Sequence, residues 1–191
     1  KLVAADPNCE SLIHAYLRGQ DVDRWCPEWA GMWMIVTQSS SNVGWPWTGK
    51  PSSEAEAAFQ QTYPSLYTHF LPMRDALIKR QDQGEYWWEL RSCAYWDEFR
   101  KPKLMYQEIQ YHPSFTFDKA GHLANNKVSF ITANDLFVLG VLNTPVMWWH
   151  NWRYLPHMKD EALAPVGYMV REIPIPRPTD ETRARAEELV K

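Results

Sequence analysis

Three short β-prone segments in the middle of this chain limit its fold more than any other feature of the sequence. Leu104 to Ile109 predicts the first strand, and Leu123 to Thr132 predicts the last. Between them, Phe115 and Phe117 alternate with polar neighbours as a second strand requires, and the turn-forming residues Asp118 to Gly121 follow. Because strands must pair with one another, the chain is expected to build a mixed or antiparallel sheet.

In the last of these strands, apolar and polar side chains point to opposite faces. Val128 and Phe130 share one face. Lys127 and Ser129 point to the other face. We therefore expect one face of the sheet to be buried in the core and the other to be accessible.

Segments of helical periodicity flank the strands, and together they predict an α+β fold with a sheet core flanked by helices. Pro72 is expected to interrupt one helix, and Asn134 to cap another. The helical segments are Glu10 to Leu17, a helix starting at Glu54, Tyr63 to Leu77, Asn134 to Asn143, Met147 to Tyr154 and Asp180 to Lys191. Two further strands are expected at Gly31 to Thr37 and Val170 to Ile175. We interpret residues 1–191 as a single domain in which residues 52–84 form a helical insertion.

The composition is that of an ordinary globular protein, with 45% apolar and 23% charged residues. No run approaches the roughly 20 apolar residues of a membrane helix, and no signal-peptide pattern is present. The abrupt start at Lys1 predicts a fragment of a larger protein. Cys9, Cys26 and Cys93 form no CxxC pair, which favours reduced thiols and a cytoplasmic location. We favour incidental thiols over a metal site built from Cys9, His14 and Cys26.

The run Tyr86 to Phe99 (YWWELRSCAYWDEF) concentrates aromatic side chains, and Arg100, Lys101 and Lys103 follow it directly. Flat rings stack on bases, and Arg and Lys side chains neutralise phosphates. The segment therefore has the chemistry of a nucleic-acid contact. For a second aromatic motif, Trp45-Pro46-Trp47, we favour packing as a hydrophobic lid over the core rather than stacking on a base.

Several motifs in a fixed order extend this pattern over nearly the whole chain. The central piece is WWELRSCAYWDEFRKPKLMYQEI, from Trp87 to Ile109. The others are Tyr16 to Val22, Tyr63 to Tyr67, Leu77 to Arg80, Phe115 to Asp118, Asn125 to Ile131, Leu139 to Thr144 and Arg171 to Pro176. The series resembles the TaqI-like C-terminal specificity domain, the DNA target recognition domain of adenine-specific DNA methyltransferases and type II restriction-modification enzymes. The resemblance implies a domain that recognises double-stranded DNA next to the methyltransferase domain of the same polypeptide.

Candidate DNA contacts follow from side-chain chemistry, because Arg pairs with guanine, Asn pairs with adenine and Lys contacts phosphate. The candidates are Arg18, Arg91, Ser92, Tyr95, Arg100, Lys101, Lys103, Asn125, Asn126 and Lys127. For Arg91, an ion pair with Glu89 or Asp97 is an equal alternative. The two asparagines have a turn-completing role as their alternative, and Arg18 has simple solvation.

The residues needed for catalysis are missing from this sequence. The methyltransferases that carry such a domain use an Asn/Asp/Ser-Pro-Pro-Tyr/Phe motif and a glycine-containing loop for S-adenosylmethionine, and this chain contains neither. Asp97, Glu98 and Lys101 are the nearest approach to a nuclease site, but the two carboxylates are sequence neighbours, which does not suit a metal centre. We therefore predict no catalytic residue, metal or cofactor in this chain, and S-adenosylmethionine with or without magnesium in the parent protein.

Two other classes of function are consistent with the sequence. The 11 tryptophans and the net charge of -3 also suit an aromatic-rich protein-interaction or oligomerisation module. A small-ligand or base-binding pocket is the third possibility. Basic residues outnumber acidic ones only locally, from Arg100 to Lys127. Salt-dependent binding to duplex DNA would separate the first class from the other two.

Overall fold

The chain passes three times between two structural units in the computed structural model, which describes residues 1–190. The first unit contains Lys1–His14 and Trp33–Trp96, and the second contains Ala15–Met32 and the chain from Asp97 onward. Residues 52–84, the expected helical insertion, lie in the first unit. Helices and small sheets coexist, so the predicted α+β class is confirmed.

The first unit is mainly helical. Its elements are α1 (Leu2–Ala5), a 3-10 helix (Pro7–Leu12), the start of β1 (Ile13–Leu17), β2 (Trp33–Ile35), α2 (Ser52–Thr62), α3 (Pro64–Phe70), a 3-10 turn (Leu71–Met73), α4 (Arg74–Ile78) and the first residue of α5 (Trp96–Phe99). Within residues 52–78 the predicted helices are confirmed, including the interruption at Pro72, whose missing N–H breaks the hydrogen-bond ladder between α3 and α4.

Stacked aromatic rings form the core of the first unit. Trp88 lies parallel to Phe59 with the ring centroids 4.8 Å apart. Trp47, which is fully buried, meets the edge of Phe59 at 5.3 Å and stacks on Trp45 at 5.0 Å. The lid interpretation of the Trp45-Pro46-Trp47 motif is therefore confirmed.

Glu56 of α2 joins the helices of this unit through its carboxylate. Arg74 donates two hydrogen bonds to it, at 3.3 and 3.0 Å, and the Tyr67 hydroxyl and Trp87 Nε1 donate at 3.2 and 3.3 Å. The hydrogen bond from Arg74 is the largest cause that holds the pKa of Glu56 below its ordinary value. The ionised carboxylate is thus the form that the folded chain stabilises.

Glu56→Gln is expected to lower the free energy of unfolding by about 1–2 kcal/mol at neutral pH, because charge-assisted bonds become neutral ones. Since folding depresses the pKa of Glu56, its contribution is present above the ordinary value of 4.5 and is lost as the pH falls through the folded pKa. Urea unfolding of both proteins from neutral to acid pH should therefore show the difference shrinking. Glu54→Gln, at an exposed position of the same helix, should show no such trend. A difference that stays constant into acid pH would contradict the prediction.

The second unit combines a sheet with a layer of helices. Its elements are the end of β1, a 3-10 turn (Gly19–Asp21), the rest of α5, β3 (Lys103–Gln107), β4 (Phe115–Asp118), β5 (Leu123–Ala124), β6 (Val128–Ile131), α6 (Leu136–Leu142), α7 (Pro145–Tyr154), a 3-10 turn (Lys159–Glu161), α8 (Gly167–Val170) and α9 (Asp180–Val190). The strands β4, β3 and β6 form an antiparallel sheet in that order, with Lys103 opposite Asp118 and Gln107 opposite Val128. The end of β1 pairs in parallel with β5.

Both faces of the central strand β3 are buried. Leu104 and Tyr106 point into the main core, which they share with residues of α6, α7 and α8. Met105 points the other way into a smaller cluster with Leu17 and Val128. The expectation of one accessible sheet face is therefore wrong, because β1 and its neighbours cover the second face. Accessible polar groups are left at the strand ends and in the turns.

Two element predictions fail. Residues 10–17 form a 3-10 turn and then β1 rather than one helix, because Tyr16 and Leu17 pair with β5, more than a hundred residues away. Residues 170–175 do not form a strand: α8 ends at Val170, and the side chains of Val170 and Ile173 fill the main core. Short apolar segments do not by themselves decide between helix and strand, so a distant partner decides instead.

Other predictions need smaller corrections. The predicted third strand is two strands, β5 and β6, divided by a turn at 125–127. The cap of α6 is Asp135, whose carboxylate accepts hydrogen bonds from two backbone N–H groups, and not Asn134. The helices over residues 147–154 and from Asp180 onward are confirmed. Among the described residues, none of the helices combines the length and apolar character that a bilayer crossing requires.

Candidate nucleic-acid interface

The predicted DNA contacts are distributed over both units. Arg91, Ser92 and Tyr95 belong to the first unit, and the other candidates belong to the second. Arg91 and Ser92 are exposed, and Tyr95 is half exposed. Within the described residues Arg91 forms no ion pair, so its alternative role as a structural ion-pair partner is not supported.

The aromatic half of the signature run is a structural element of the first unit. Trp88 is buried in the aromatic core, and the Trp87 indole donates to Glu56. Glu89 is fully buried and accepts hydrogen bonds from Ser40, from Trp47 Nε1 and from backbone N–H groups of the preceding loop. Trp88 is therefore unable to stack on bases, contrary to the expectation drawn from the sequence, and Trp87 is held by Glu56 and by the Arg74 guanidinium 5.4 Å from its ring centroid.

Lys103 is also buried rather than exposed. Its ammonium lies 2.5 Å from Asp118 Oδ2 and donates to the carbonyl oxygen of Phe99 at 2.7 Å, and neither side chain of the ion pair has any exposed surface. Burial lowers the pKa of Lys103, although the bond to Asp118 opposes that shift. The prediction that Lys103 contacts phosphate is therefore wrong. Its cross-strand position opposite Asp118 places it inside the unit.

The Lys103–Asp118 pair holds two turns together at this end of the sheet. Asp118 also accepts hydrogen bonds from the backbone N–H groups of Ala120 and His122, at 3.1 and 2.8 Å, so it closes the turn that carries Lys119. Through the carbonyl of Phe99, Lys103 fixes the residue that precedes Arg100. One buried ion pair thus fixes both the turn that carries Arg100 and the turn that carries Lys119.

The two turns touch directly. A Cβ atom at Gly121 would lie 2.7 Å from the carbonyl oxygen of Arg100, and the φ angle of Gly121 is +76°, so only glycine fits this close approach. The next residue, His122, has its Nδ1 at 2.8 Å from Asp118 Oδ1. Its ring lies 6.0 Å from the ring of Trp29, whose side chain is 40% exposed. We refer to Trp29, Arg100, Lys119 and His122 as the Arg100 cluster.

A second group of predicted contacts meets where β1 and β5 end. The turn formed by Asn125, Asn126 and Lys127 is exposed, and a Cβ atom at Gly19 would lie 3.5 Å from the Lys127 Cβ, which places Arg18 beside this turn. We refer to Arg18, Asn125, Asn126 and Lys127 as the Lys127 cluster. Asn125 Oδ1 accepts from the Lys127 backbone N–H at 3.1 Å, so the turn-completing alternative holds for this asparagine.

The two clusters lie at opposite ends of β3. The Arg100 cluster adjoins Lys103 at the start of the strand, and Gln107 at its end pairs with Val128, next to Lys127. Four residue steps of an extended strand span about 14 Å. That separation is comparable to the width of a major groove, about 12 Å, so one duplex can reach both ends.

Three cations in or directly beside these clusters already have an acidic partner. Arg18 bonds Asp21 at 2.7 Å, and the hydrogen bonds from Arg18 lower the pKa of Asp21. The other pairs are Lys101 with Glu98 at 2.6 Å and Lys127 with Glu108 at 3.5 Å. Within residues 1–190, the Arg100 and Lys119 side chains have no ion pair or hydrogen bond. Of the cations in and beside these two clusters, Arg100 and Lys119 are consequently the ones that can bind phosphate without breaking an ion pair of the described residues.

Sequence reasoning missed three members of the Arg100 cluster: Trp29, Lys119 and His122. The basic excess between Arg100 and Lys127 did include Lys119, so that signal was present. Trp29 and His122 lie in loops, and only the folded chain brings them together. Among the described residues, no group of three or more His, Cys, Asp or Glu side chains is arranged to hold a metal ion.

No protein-family model matches this chain, and no curated protein matches it either. The family resemblance drawn from the ordered motifs thus remains a prediction.

Proposed function

We propose that this chain is a sequence-specific DNA recognition domain of a larger adenine-specific DNA methyltransferase or fused restriction-modification enzyme. The observation that carries the proposal is the Arg100 cluster, where two partner-free cations stand on turns fixed by a buried ion pair, beside an exposed tryptophan. Fixed cations bind phosphates at a lower entropic cost than mobile ones, and rings beside them favour nucleic acid over a simple anion.

In this proposal the chain holds and reads DNA, and the parent protein performs the chemistry. Double-stranded DNA and the methyltransferase domain of the same polypeptide are its partners, and S-adenosylmethionine, with or without magnesium, belongs to the parent in the cytoplasm. Arg91, Ser92, Tyr95 and Asn126 are the exposed candidates for reading bases. Because Arg18, Lys101 and Lys127 are in ion pairs and the net charge is -3, we expect the isolated chain to bind DNA weakly.

Arg100→Ala and Lys119→Ala are each expected to reduce the slope of log affinity against log salt by about 1 and to weaken binding to all duplex sequences alike. The reason is that each side chain neutralises a phosphate without first leaving an acidic partner. Fluorescence anisotropy with a labelled duplex at several salt concentrations measures both quantities.

Matched controls are available in the same unit. Arg177→Ala and Lys159→Ala remove exposed cations outside the Arg100 cluster, and they should leave the slope unchanged. Equal slopes for all four variants and the unaltered chain would overturn the assignment of phosphate contacts to this cluster. The absence of any salt-dependent duplex binding would overturn the proposed function itself.

A second candidate function, an interaction module, is favoured by one surface of the second unit. On α7, Val146 is 76% exposed and Trp149 is 59% exposed, with the guanidinium of Arg153 4.0 Å from the Trp149 ring centroid. A face of this kind suits self-association. Sedimentation at increasing protein concentration decides between the two: association that Trp149→Ala abolishes, without salt-dependent DNA binding, would favour this second function.

A further inference from the structure

Two tryptophans in the segment that leads from the 3-10 turn at Gly19–Asp21 towards β2 expose their rings on the second unit. Trp25 is 39% exposed and Trp29 is 40% exposed. We propose that these two rings form a stacking site for unpaired nucleobases, so that the chain prefers single-stranded or locally unpaired DNA to a fully paired duplex. The proposal rests on the proposed DNA-binding function. It specifies that the DNA bound at the Arg100 cluster is unpaired.

The backbone of Trp25 adopts an unfavourable conformation, and the backbone hydrogen bonds that it makes do not require a bulky side chain. Its φ angle is +78°, in the left-handed region that bulky side chains avoid. Two backbone hydrogen bonds hold it there: its N–H donates to Phe115 at 3.0 Å, and its carbonyl accepts from Phe117 at 2.9 Å. These bonds cover the edge of β4 and use no side-chain atom. Glycine or asparagine would cover the edge with less strain, so the indole ring itself is the feature that needs a function.

The ring of Trp25 is partly exposed. Within the described residues, it makes no ring contact, side-chain hydrogen bond or cation contact. The surrounding loop is nevertheless fixed, because Glu28 donates a backbone hydrogen bond to Asp21 at 2.9 Å and Arg24 Nε donates to the Pro113 carbonyl at 3.2 Å. An exposed ring on a fixed loop is preorganised for a ligand that stacks.

Trp29 is held in place at both ends of its side chain. Its Nε1 donates to the Met32 carbonyl at 2.8 Å, and its ring lies against His122 with an interplanar angle of 42°. His122 in turn contacts Asp118, the carboxylate that closes the turn of Lys119. The Trp29 ring therefore keeps a defined position relative to the cations of the Arg100 cluster.

The neighbouring charges identify the occupant as nucleic acid. Arg100 and Lys119, which have no acidic partner in the part of the chain described, supply phosphate-binding groups in the cluster that contains Trp29, and an uncharged peptide would use neither. In a paired duplex, the faces of the bases are covered by their neighbours. An indole ring can stack only on a base that has left that arrangement, which is why the site selects unpaired DNA.

Trp25→Asn is the sharpest test, because asparagine tolerates the positive φ angle and lacks the ring. The variant should be at least as stable as the natural chain in thermal unfolding, yet bind a single strand about tenfold more weakly, as the loss of one stacked base predicts. Trp29→Phe, which keeps a ring, should lose less affinity than Trp29→Ala. Trp149→Ala, which removes an even more exposed tryptophan of α7, should leave the binding of all oligonucleotides unchanged.

Three labelled oligonucleotides are compared by anisotropy for every variant: a single strand, its fully paired duplex, and the same duplex with one unpaired base. The natural chain should bind the first and third more tightly than the second, and Trp25→Asn should remove that preference. The free thiol of Cys26, next to Trp25, gives an independent measurement. Bound single strand should slow its modification severalfold.

Each remaining outcome rejects the inference. If duplex binding stays salt-dependent and sensitive to Arg100→Ala but no preference for unpaired bases exists, the stacking site is wrong and the proposed function stands. If no oligonucleotide binds, both are wrong. If Trp25→Asn instead abolishes self-association and leaves DNA binding unchanged, the rings belong to an interface between copies of this chain.

Discussion

Replacing Lys103 with methionine is expected to destabilise the second unit by about 3–5 kcal/mol, because it leaves the carboxylate of Asp118 buried without its counter-charge. Both side chains of the pair are fully buried, so water cannot compensate. The substitution also removes the hydrogen bond to the Phe99 carbonyl, which holds the turn before Arg100. Urea unfolding measures the loss, and the DNA salt slope of the folded variant should fall as it does in Arg100→Ala.

The double variant Lys103→Met with Asp118→Asn separates the ion pair from simple packing. Neutralising both partners should recover part of the stability, with a coupling energy of about 2 kcal/mol in the double-mutant cycle. Lys101→Met is the matched control, because the Lys101–Glu98 pair is exposed and its loss should cost about 0–1 kcal/mol. A loss for Lys103→Met as small as the control, or no coupling in the cycle, would contradict a stabilising role for the buried pair.

The parts of the fold that the sequence predicts are those decided by local patterns. The helices from Ser52 to Ile78 carry apolar residues at regular spacing, and Pro72 marks their interruption. The strands β3 and β4 show apolar runs bounded by turn residues. In each case the residues that define the element lie within the element itself.

The parts that fail depend on distant partners. Residues 13–17 have a pattern compatible with a helix, and they become a strand because β5 supplies a parallel partner. The division of the chain into units follows the same logic: residues 15–32 join a unit whose other residues begin at Asp97. Local periodicity contains no information on such pairings.

The candidate site also contains residues whose exposure the local sequence predicts and residues whose positions depend on distant partners. Arg100 and Lys101 were predicted to be exposed, and they are. Lys103 belongs to the same basic segment, but the strand register places it opposite Asp118, where a lysine can be buried with its charge paired. The sequence did contain a signal for this pairing. The strands β3 and β4 were both predicted, and the residues at their adjoining ends, Lys103 and Asp118, carry opposite charges. Trp29 and His122 lie in loops, and no periodicity of the sequence predicts that their rings come together.

Glu89→Ala is expected to lower the free energy of unfolding by at least about 4 kcal/mol, because it leaves several buried donors of the first unit without an acceptor. Ser40 Oγ and Trp47 Nε1 donate to one oxygen at 2.5 and 2.9 Å, and backbone N–H groups of Ser40 and Glu85 donate to the other at 3.1 and 2.8 Å. A cavity forms next to the aromatic core as well, since the carboxylate is fully buried.

Two variants in the same loop decide whether the carboxylate itself has this effect. Glu89→Gln keeps the side-chain volume but presents an amide N–H₂ to one set of donors, so its loss should be smaller than that of Glu89→Ala and still measurable by urea unfolding. Glu85→Ala removes an exposed carboxylate and should stay within about 0.5 kcal/mol of the natural chain. Hydrogen exchange should then show faster exchange of the Ser40 and Glu85 amides in Glu89→Ala alone. Equal stability of Glu89→Ala and Glu85→Ala would mean that the loop keeps its structure without the Glu89 carboxylate. Glu89 would then need a role other than stabilising the fold.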